Sequence, residues 1–325
     1  MSYTSRTLCW LAVGVAALLS FGPTGAAAKY PARPITLICP WGAGGGTDAV
    51  SRMVATLLKK ELGVPVNVVN RTGGGGAVGH TAMATARPDG YTIGMPTVEL
   101  TMIHWMGLSK ITYRDIAPVA MVNFDPAGIS VRADSPWASY EELAAHIRAN
   151  PGRLQASGSG RGGIWHLALA GWMKALGLEA NAVKWIPSKG AAPALQDLMA
   201  GGIELGTCSL PETSTLVDAG KVRPLAIMAA DRDPNFPEVP TLEETGAAWT
   251  CGAWRGIAAP KGTPQEILEV LEKAVTKVVQ SAEFTEFMEN RGFGIYYLDA
   301  AGFAQALARA DSENGETMRA AGIVK

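Results

Sequence analysis

Cysteine and histidine, on which disulfide frameworks and zinc sites depend, are scarce in this sequence: the 325 residues include four of each. No C-x-x-C or H-E-x-x-H motif occurs, so the sequence does not support a metal centre. The cysteines are also too widely spaced for a disulfide framework. We expect buried thiols at Cys39, Cys208 and Cys251, with a Cys208–Cys251 bridge as the alternative, and neither a metal nor a cofactor.

An excess of charge of one sign is also missing. Lys and Arg together number 28 against 29 Asp and Glu, a formal net charge of −1, and only 18% of the residues are charged. This balance excludes a basic nucleic-acid-binding protein and an acidic disordered chain. No nucleic-acid partner is expected.

The apolar run near the N-terminus is too short to cross a membrane. It covers the twelve residues 8–19, after Arg6 and before the small residues Ala26 and Ala28, whereas a spanning helix needs about 20. The pattern is that of a secretory signal peptide, residues 1–28, cleaved after Ala28. The mature chain is therefore expected to be soluble and exported.

Catalytic motifs are lacking as well. Ser157 precedes Gly158 and Ser159 follows it, so no G-x-S-x-G elbow is formed and an α/β-hydrolase would lack its nucleophile. The loops at 74–79 and 158–163 match the glycine spacing of dinucleotide-binding proteins, but this spacing is weak evidence, and an exported protein rarely meets a nicotinamide cofactor. A protein that is not an enzyme is favoured, with an exported hydrolase as the weaker alternative.

Short apolar runs alternate with segments of helical periodicity, as in α/β proteins. Runs at 35–39 and 66–69 predict strands on either side of a helix at 48–62, and the alternation predicts a parallel sheet. Composition breaks at 124–128 and 250–255 predict two crossings between two lobes with a cleft between them. The predicted division is 29–126 with 253–325 for lobe 1, and 127–252 for lobe 2.

Three glycine-rich loops, at 42–46, 73–79 and 158–163, each join a predicted strand to a predicted helix. Glycine allows backbone N–H groups to approach a ligand, and a helix N-terminus carries about half a positive charge. The first and third loops are therefore predicted anion sites, with tight turns as the alternative. In the first loop we expect Gly45 to have a positive φ.

Taken together, these loops and their flanking motifs resemble those of the periplasmic substrate-binding proteins of tripartite tricarboxylate transporters, also called Bug receptors. The resemblance covers essentially the whole mature chain. The motifs that carry it are YPARPI at 30–35, PWGAGGGTD at 40–48, NRTGGGG at 70–76, PDGYT at 88–92, GSG at 158–160, HL at 166–167, PSKGAAP at 187–193, AGKVR at 219–223, PEVPT at 237–241 and WRGIAAPKGTP at 254–264.

The resemblance implies a two-lobed α/β periplasmic-binding-protein fold of type II (Venus flytrap) that captures a small carboxylate and delivers it to membrane subunits of the transporter. A ligand carboxylate would lie against loop 41–48 and face loop 157–163 and the helix start at 188–192. The candidate binding residues are Trp41, Ala43, Gly44, Gly45, Gly46, Thr47, Asp48, Thr97, Glu99, Ser157, Gly158, Ser159, Gly160, Gly163, His166, Ser188, Gly190, Ala191, Ala192, Glu212 and Trp254.

Three candidates have more than one interpretation. Glu99 and Glu212 would either reject a second ligand carboxylate, receive an amine or hydroxyl of the ligand, or act as solvated or capping acids. His166 is a core or cleft-wall residue or, less favoured, a catalytic base. Trp254 lies beside a predicted crossing.

Two roles are compatible with a receptor of this kind: delivery to a permease, or a sensor subunit that reports ligand occupancy to a membrane partner. A monomer is expected.

Overall fold

The computed structural model describes residues 30–324, which fold into two β-sheets covered by helices. The predicted signal peptide, residues 1–28, lies outside the described residues. The strands are β1 Ile35–Cys39, β2 Val66–Asn70, β3 Thr92–Gly94, β4 Ile116–Pro126, β5 Gly128–Arg132, β6 Gln155–Ser157, β7 Lys184–Trp185, β8 Leu205–Gly206, β9 Val222–Ile227, β10 Gly252–Pro260 and β11 Ile295–Leu298. The α-helices are α1 Gly46–Leu62, α2 Ala77–Ala84, α3 Tyr140–Ala149, α4 Ile164–Ala175, α5 Ala191–Ala200, α6 Leu210–Asp218, α7 Gln265–Val279, α8 Ala282–Glu289 and α9 Ala300–Ala320.

The first sheet has the strand order β11-β4-β10-β3-β1-β2. Strand β1 runs parallel to β2 and β3, but β10 is antiparallel to β3 and β4, and β11 is antiparallel to β4. The prediction of a parallel sheet is therefore right only for part of it. The chain leaves this sheet along β4 and returns along β10, and two neighbouring strands that carry the chain out and back run in opposite directions.

The second sheet has the order β7-β6-β8-β5-β9 and is also mixed. Strand β6 is parallel to β7 and β8, whereas β5 is antiparallel to β8 and β9. We call the part of the fold built on the first sheet lobe 1 and the part built on the second lobe 2. The predicted division places every strand in the lobe of its sheet, except that Gly252 already belongs to β10; the domain boundaries stay a prediction.

Helices cover both faces of the lobe 1 sheet because its strands alternate their buried side chains. In β1, Leu37 belongs to an apolar cluster with residues of α1 and α7, while its neighbour Ile38 belongs to a cluster that contains Met83 of α2 and Phe303 of α9. Successive side chains of a strand point to opposite faces, so one strand contributes to both cores.

Local signals place most of the predicted elements correctly. Strand β1 has the predicted bounds, and α1 ends at Leu62 because Gly63 adopts φ +72° and its N–H donates to the Lys59 carbonyl at 3.1 Å. Half of a capping box begins α3: Ser139 Oγ accepts from the Glu142 N–H at 3.4 Å, but the Glu142 carboxylate accepts from the Ala138 N–H rather than from that of Ser139.

The three cysteines of residues 30–324 carry free thiols, so no Cys208–Cys251 bridge is formed. Within the same residues, no helix combines the length and apolar character that a bilayer crossing requires.

Candidate functional site

A cavity of about 220 Å³ lies between the two lobes, where the loops after several strands meet. Its lining residues come from lobe 1, from lobe 2 and from the returning strand β10. They are Trp41, Gly42, Ala43, Gly45, Gly46, Thr47, Thr97, Glu99, Ser159, Ile164, Trp165, Lys189, Gly190, Ala191, Ala192, Pro193, Glu212, Ala253, Trp254 and Arg255. Carboxyl ends of strands at the meeting of two α/β units are a common ligand position.

The first glycine loop brings the start of α1 to this cavity. Gly45 precedes the helix with extended backbone (φ −84°, ψ 171°), and no side chain caps the helix N-terminus. The prediction of a positive φ at Gly45 is wrong; Gly44 has φ +84°. The left-handed residue of this loop is thus Gly44, whose N–H donates to the Asp48 carboxylate at 3.0 Å.

Asp48 holds this loop in place rather than facing the cavity. Its carboxylate also accepts from Arg52 Nε at 2.9 Å and from Asn70 Nδ2 at 2.9 Å. Burial alone would raise the pKa of Asp48, but the hydrogen bonds from Arg52, Gly44 and Asn70 outweigh it and lower that pKa. The acid in the first turn of α1 is thus turned toward local donors.

Helix α5 supplies a second uncapped N-terminus. Gly190 precedes it with φ 142°, no side chain caps it, and Gly190, Ala191 and Ala192 all line the cavity. Ser188, a predicted binding residue, instead donates its hydroxyl to the Gly190 carbonyl at 2.9 Å. Helices α1 and α5 therefore direct free N–H groups and partial positive charge into one enclosed space.

The third glycine loop is arranged differently from the first. The N–H of Ile164, the first residue of α4, donates to Glu99 Oε1 at 3.2 Å, so a carboxylate of lobe 1 occupies this helix start. Glu99 Oε2 accepts from the Thr97 hydroxyl at 2.6 Å, and Trp41 Nε1 donates to the same hydroxyl at 3.2 Å. A predicted anion site for the ligand is thus occupied by a side chain of the protein.

His166 does not line the cavity. Its Nδ1 accepts from the Gly162 N–H at 3.0 Å, and its ring stacks on Trp185 with 4.8 Å between centroids. Burial, followed by the charge of Arg161, lowers its pKa to about 4. Of the two interpretations, the structural one fits this environment.

Thirteen of the predicted binding residues line the cavity: Trp41, Ala43, Gly45, Gly46, Thr47, Thr97, Glu99, Ser159, Gly190, Ala191, Ala192, Glu212 and Trp254. The others lie outside its lining: Gly44, Asp48, Ser157, Gly158, Gly160, Gly163, His166 and Ser188. The close packing of Gly158 explains why this residue of the third loop lies outside the lining. A Cβ at this position would lie 2.7 Å from Trp165 Cβ. The loop packs on its own helix rather than opening to the cavity.

The most important lining residue that the sequence analysis missed is Arg255 on β10. Its side chain is 2% exposed; Nε donates to Thr47 Oγ1 at 3.0 Å, and Nη1 donates to Asn123 and to Asp125. Nη2 lies 3.7 Å from Glu212 Oε1 across the lobes. A lone arginine in an otherwise apolar strand was a usable signal, because a buried charge needs partners.

Two buried acids, Glu99 and Glu212, each come from one lobe and reach the helix start of the other. A Cβ on Gly46 would lie 3.0 Å from Glu212 Oε1, so this carboxylate lies against the beginning of α1. Burial is the main cause that raises the pKa of both acids.

Two buried donors that line the cavity are without partners among the described residues: Ser159 Oγ and Trp254 Nε1. Buried polar atoms are normally hydrogen-bonded, so these two donors are exceptions among the residues of the lining. No group of three or more His, Cys, Asp or Glu side chains in residues 30–324 is arranged to hold a metal ion.

The fold and the cavity define a two-lobed α/β solute-binding protein. The sequence profile described as "Tripartite tricarboxylate transporter family receptor" matches residues 50–323, and the chain belongs to this family. Its members and structural neighbours are substrate-binding receptors, not enzymes.

Three solved structures show the same architecture. The periplasmic binding protein BugD is 30% identical, with a TM-score of 0.85 over 91% of this chain and 100% of that one. An R. palustris protein solved with adipate is 28% identical, with a TM-score of 0.86 over 91% and 99%. MatC from Rhodopseudomonas palustris, solved with bound malate, is 27% identical, with a TM-score of 0.80 over 89% and 99%.

Proposed function

We propose that this protein is a periplasmic receptor that captures a small organic acid in the cavity between its lobes and delivers it to the membrane subunits of a tripartite tricarboxylate transporter. The observation that carries the proposal is the pair of uncapped helix N-termini, α1 and α5, that open on one buried cavity. Such ends bind anions through backbone N–H groups and partial positive charge. The adipate and malate of the two R. palustris structures support a carboxylate ligand.

In this proposal the backbone, rather than a cationic side chain, binds the ligand carboxylate. Arg255, the buried cation in the lining, is already paired with Asp125 and lies beside Glu212. Trp254 Nε1 and Ser159 Oγ add two side-chain donors, and Trp41 and Trp165 supply apolar wall. A site with a few placed donors favours one ligand orientation.

Closure of the lobes on the ligand would produce the form that the transporter recognises. The cavity is lined from both lobes, so a bound molecule contacts both and stabilises the closed form by its differential affinity. We propose that the receptor acts as a monomer, and that export removes residues 1–28. N-terminal sequencing of periplasmic material should therefore begin at Lys29, and a mature protein that retains Met1 would contradict the proposed export.

The test is direct identification of the ligand. Protein purified from periplasm is denatured and its released small molecules are identified by mass spectrometry; the refolded protein is then titrated by calorimetry with mono-, di- and tricarboxylates. We expect one class to bind stoichiometrically without turnover. Conversion of a carboxylate or ester by the protein, or the absence of binding by every carboxylate together with retention of a non-acidic ligand, would refute the proposal.

A further inference from the structure

The charge balance of the cavity does not suit a second ligand carboxylate. Arg255 is buried with its guanidinium bonded to Thr47, Asn123 and Asp125. The other cation in the lining, Lys189, is exposed, where solvent and salt screen its charge. The charge of Arg255 is balanced by Asp125, whereas the cavity also contains the buried carboxyls of Glu99 and Glu212.

Of these two acids, Glu212 has the greater capacity for a further donor. Both oxygens of Glu99 already accept strong bonds, from the Thr97 hydroxyl at 2.6 Å and the Ile164 N–H at 3.2 Å. Glu212 Oε2 accepts from Ser209 Oγ at 3.2 Å, and Oε1 forms an ion pair with Arg255 Nη2 at 3.7 Å, beyond hydrogen-bond distance. Its side chain is 8% exposed, so water does not supply the missing donors freely.

Elsewhere in the cavity wall the polar groups are donors. Trp254 Nε1 and Ser159 Oγ are buried and without partners among residues 30–324, and the free N–H groups at the start of α5 face the same space. The lining therefore offers unpaired donors that suit one ligand carboxylate. It also offers the Glu212 carboxyl, which can accept from a donor group of the ligand. Tryptophans 41, 165 and 254, which also line the cavity, are the aromatic residues best suited to accompany a cation.

We propose that the ligand is a monocarboxylate that also carries an ammonium group, with its carboxylate on the donors of Trp254, Ser159 and α5 and its ammonium group on Glu212. This rests on the proposed function and makes it more specific. Arg255 Nη2, at 3.7 Å, pairs with Glu212 without a hydrogen bond, and an ammonium group would add a charged donor within hydrogen-bond distance. A second carboxylate would instead face the acid with like charge.

Calorimetry with matched ligands tests the proposal on the refolded protein at neutral pH. The sets are butyrate, succinate, α-aminobutyrate and γ-aminobutyrate, and caproate, adipate and ε-aminocaproate; γ-hydroxybutyrate adds a neutral donor. We expect an amino acid of one set to bind at least about tenfold more tightly than the dicarboxylate of the same length. Equal or tighter binding of the dicarboxylate or of the hydroxy acid would overturn the ammonium assignment while leaving the proposed function intact.

A variant pair then tests the role of Glu212. Glu212→Gln keeps the size of the side chain and leaves Arg255 its bonds to Asp125, so the fold is expected to persist, as thermal melts will show. The ratio of amino acid to dicarboxylate affinity should fall at least about tenfold in this variant and stay unchanged in the exposed control Glu243→Gln. An unchanged ratio in Glu212→Gln would overturn the proposal, and failure of every carboxylate to bind the wild type would count against the proposed function and this inference together.

Discussion

Arg255 joins the two lobes and the cavity through one side chain. It contacts Asp125 and Asn123 of the departing strand β4, Thr47 at the start of α1, and approaches Glu212 of lobe 2. Removing one member of a buried ion pair leaves the other charge unpaired, which costs more than the pair contributes. Arg255 is therefore a residue on which both stability and site geometry depend.

Replacing Arg255 by Met should destabilise the protein by about 3–5 kcal/mol, because the Asp125 carboxylate loses its buried partner. Denaturant unfolding followed by circular dichroism measures the change. The matched control is Lys60→Met, which removes an exposed ion pair with Glu283 and should cost less than about 1 kcal/mol. Equal losses in the two variants would show that the Arg255 cluster does not carry the expected energy.

His80 is expected to make the fold sensitive to acid. It is fully buried, its Nε2 accepts from the Thr97 N–H at 3.1 Å, and burial lowers its pKa from 6.5 to about 4. Because the folded-state pKa lies below the unfolded one, the stabilisation from neutral His80 is complete above pH 6.5 and is lost as the pH falls toward about 4. The loss is at most roughly 1.4 kcal/mol per pH unit.

His80→Gln keeps an acceptor for Thr97 without titrating, so its free energy of unfolding should fall less steeply between pH 6.5 and pH 4. Urea unfolding at a series of pH values gives the slopes. A wild-type slope in His80→Gln would exclude His80 as its source.

At the scale of elements, the start of α1 borders the space in which a ligand would bind. Gly45→Val should lower carboxylate affinity at least about tenfold, equivalent to roughly 1.4 kcal/mol, with the fold unchanged. The backbone at Gly45 is extended and suits valine, and a Cβ there meets only the Gly42 carbonyl at 3.7 Å. The added side chain therefore takes space beside the N–H groups of α1 rather than disturbing the core.

Calorimetry and thermal melts on Gly45→Val compare it with Gly202→Val, whose Cβ would meet ordinary contacts away from the cavity. Asp48→Asn should change affinity less than Gly45→Val, since Asp48 lies outside the lining and holds Gly44, Arg52 and Asn70. Wild-type affinity in Gly45→Val would remove the first loop from the site.

For the whole molecule, the two buried glutamates act as contacts between lobes. Glu99 of lobe 1 accepts from the first N–H of α4, and Glu212 of lobe 2 lies against Gly46 and Arg255. Each acid stands where a ligand carboxylate was expected from the sequence. Hydrogen bonds to charged groups contribute about 1.5–3 kcal/mol, enough to shift a two-state equilibrium between closed and open lobes.

Glu99→Ala should open the ligand-free protein, because α4 loses its acceptor from lobe 1. Small-angle X-ray scattering should show a larger radius of gyration than for the wild type, and saturation with ligand should reverse the increase. The exposed control Glu238→Ala should scatter as the wild type does. Identical scattering of Glu99→Ala and wild type in the ligand-free state would show that this contact does not control closure.

Local patterns in the sequence were sufficient for most elements, the two-lobed class and the family. Strand β1, the extent of α1 and the uncapped glycine loop before it all follow from periodicity, capping residues and glycine, which act within a few positions. The glycine loops together with the family resemblance led to the candidate residues, thirteen of which line the cavity. The short strand β11 was missed because its apolar residues show no clear alternation between flanking helices.

Only the tertiary structure decided strand directions, the partners of Arg255 and which carboxylate meets which helix. Arg255 bonds to Asp125 across 130 positions, and Glu99 reaches Ile164 across 65. These contacts depend on how β4 and β10 pair side by side at the crossings, and the composition breaks that predict the crossings do not specify this pairing. The sequence by itself therefore determined the elements and the glycine loop before α1, while the fold determined that the protein's own acids share the cavity with that loop.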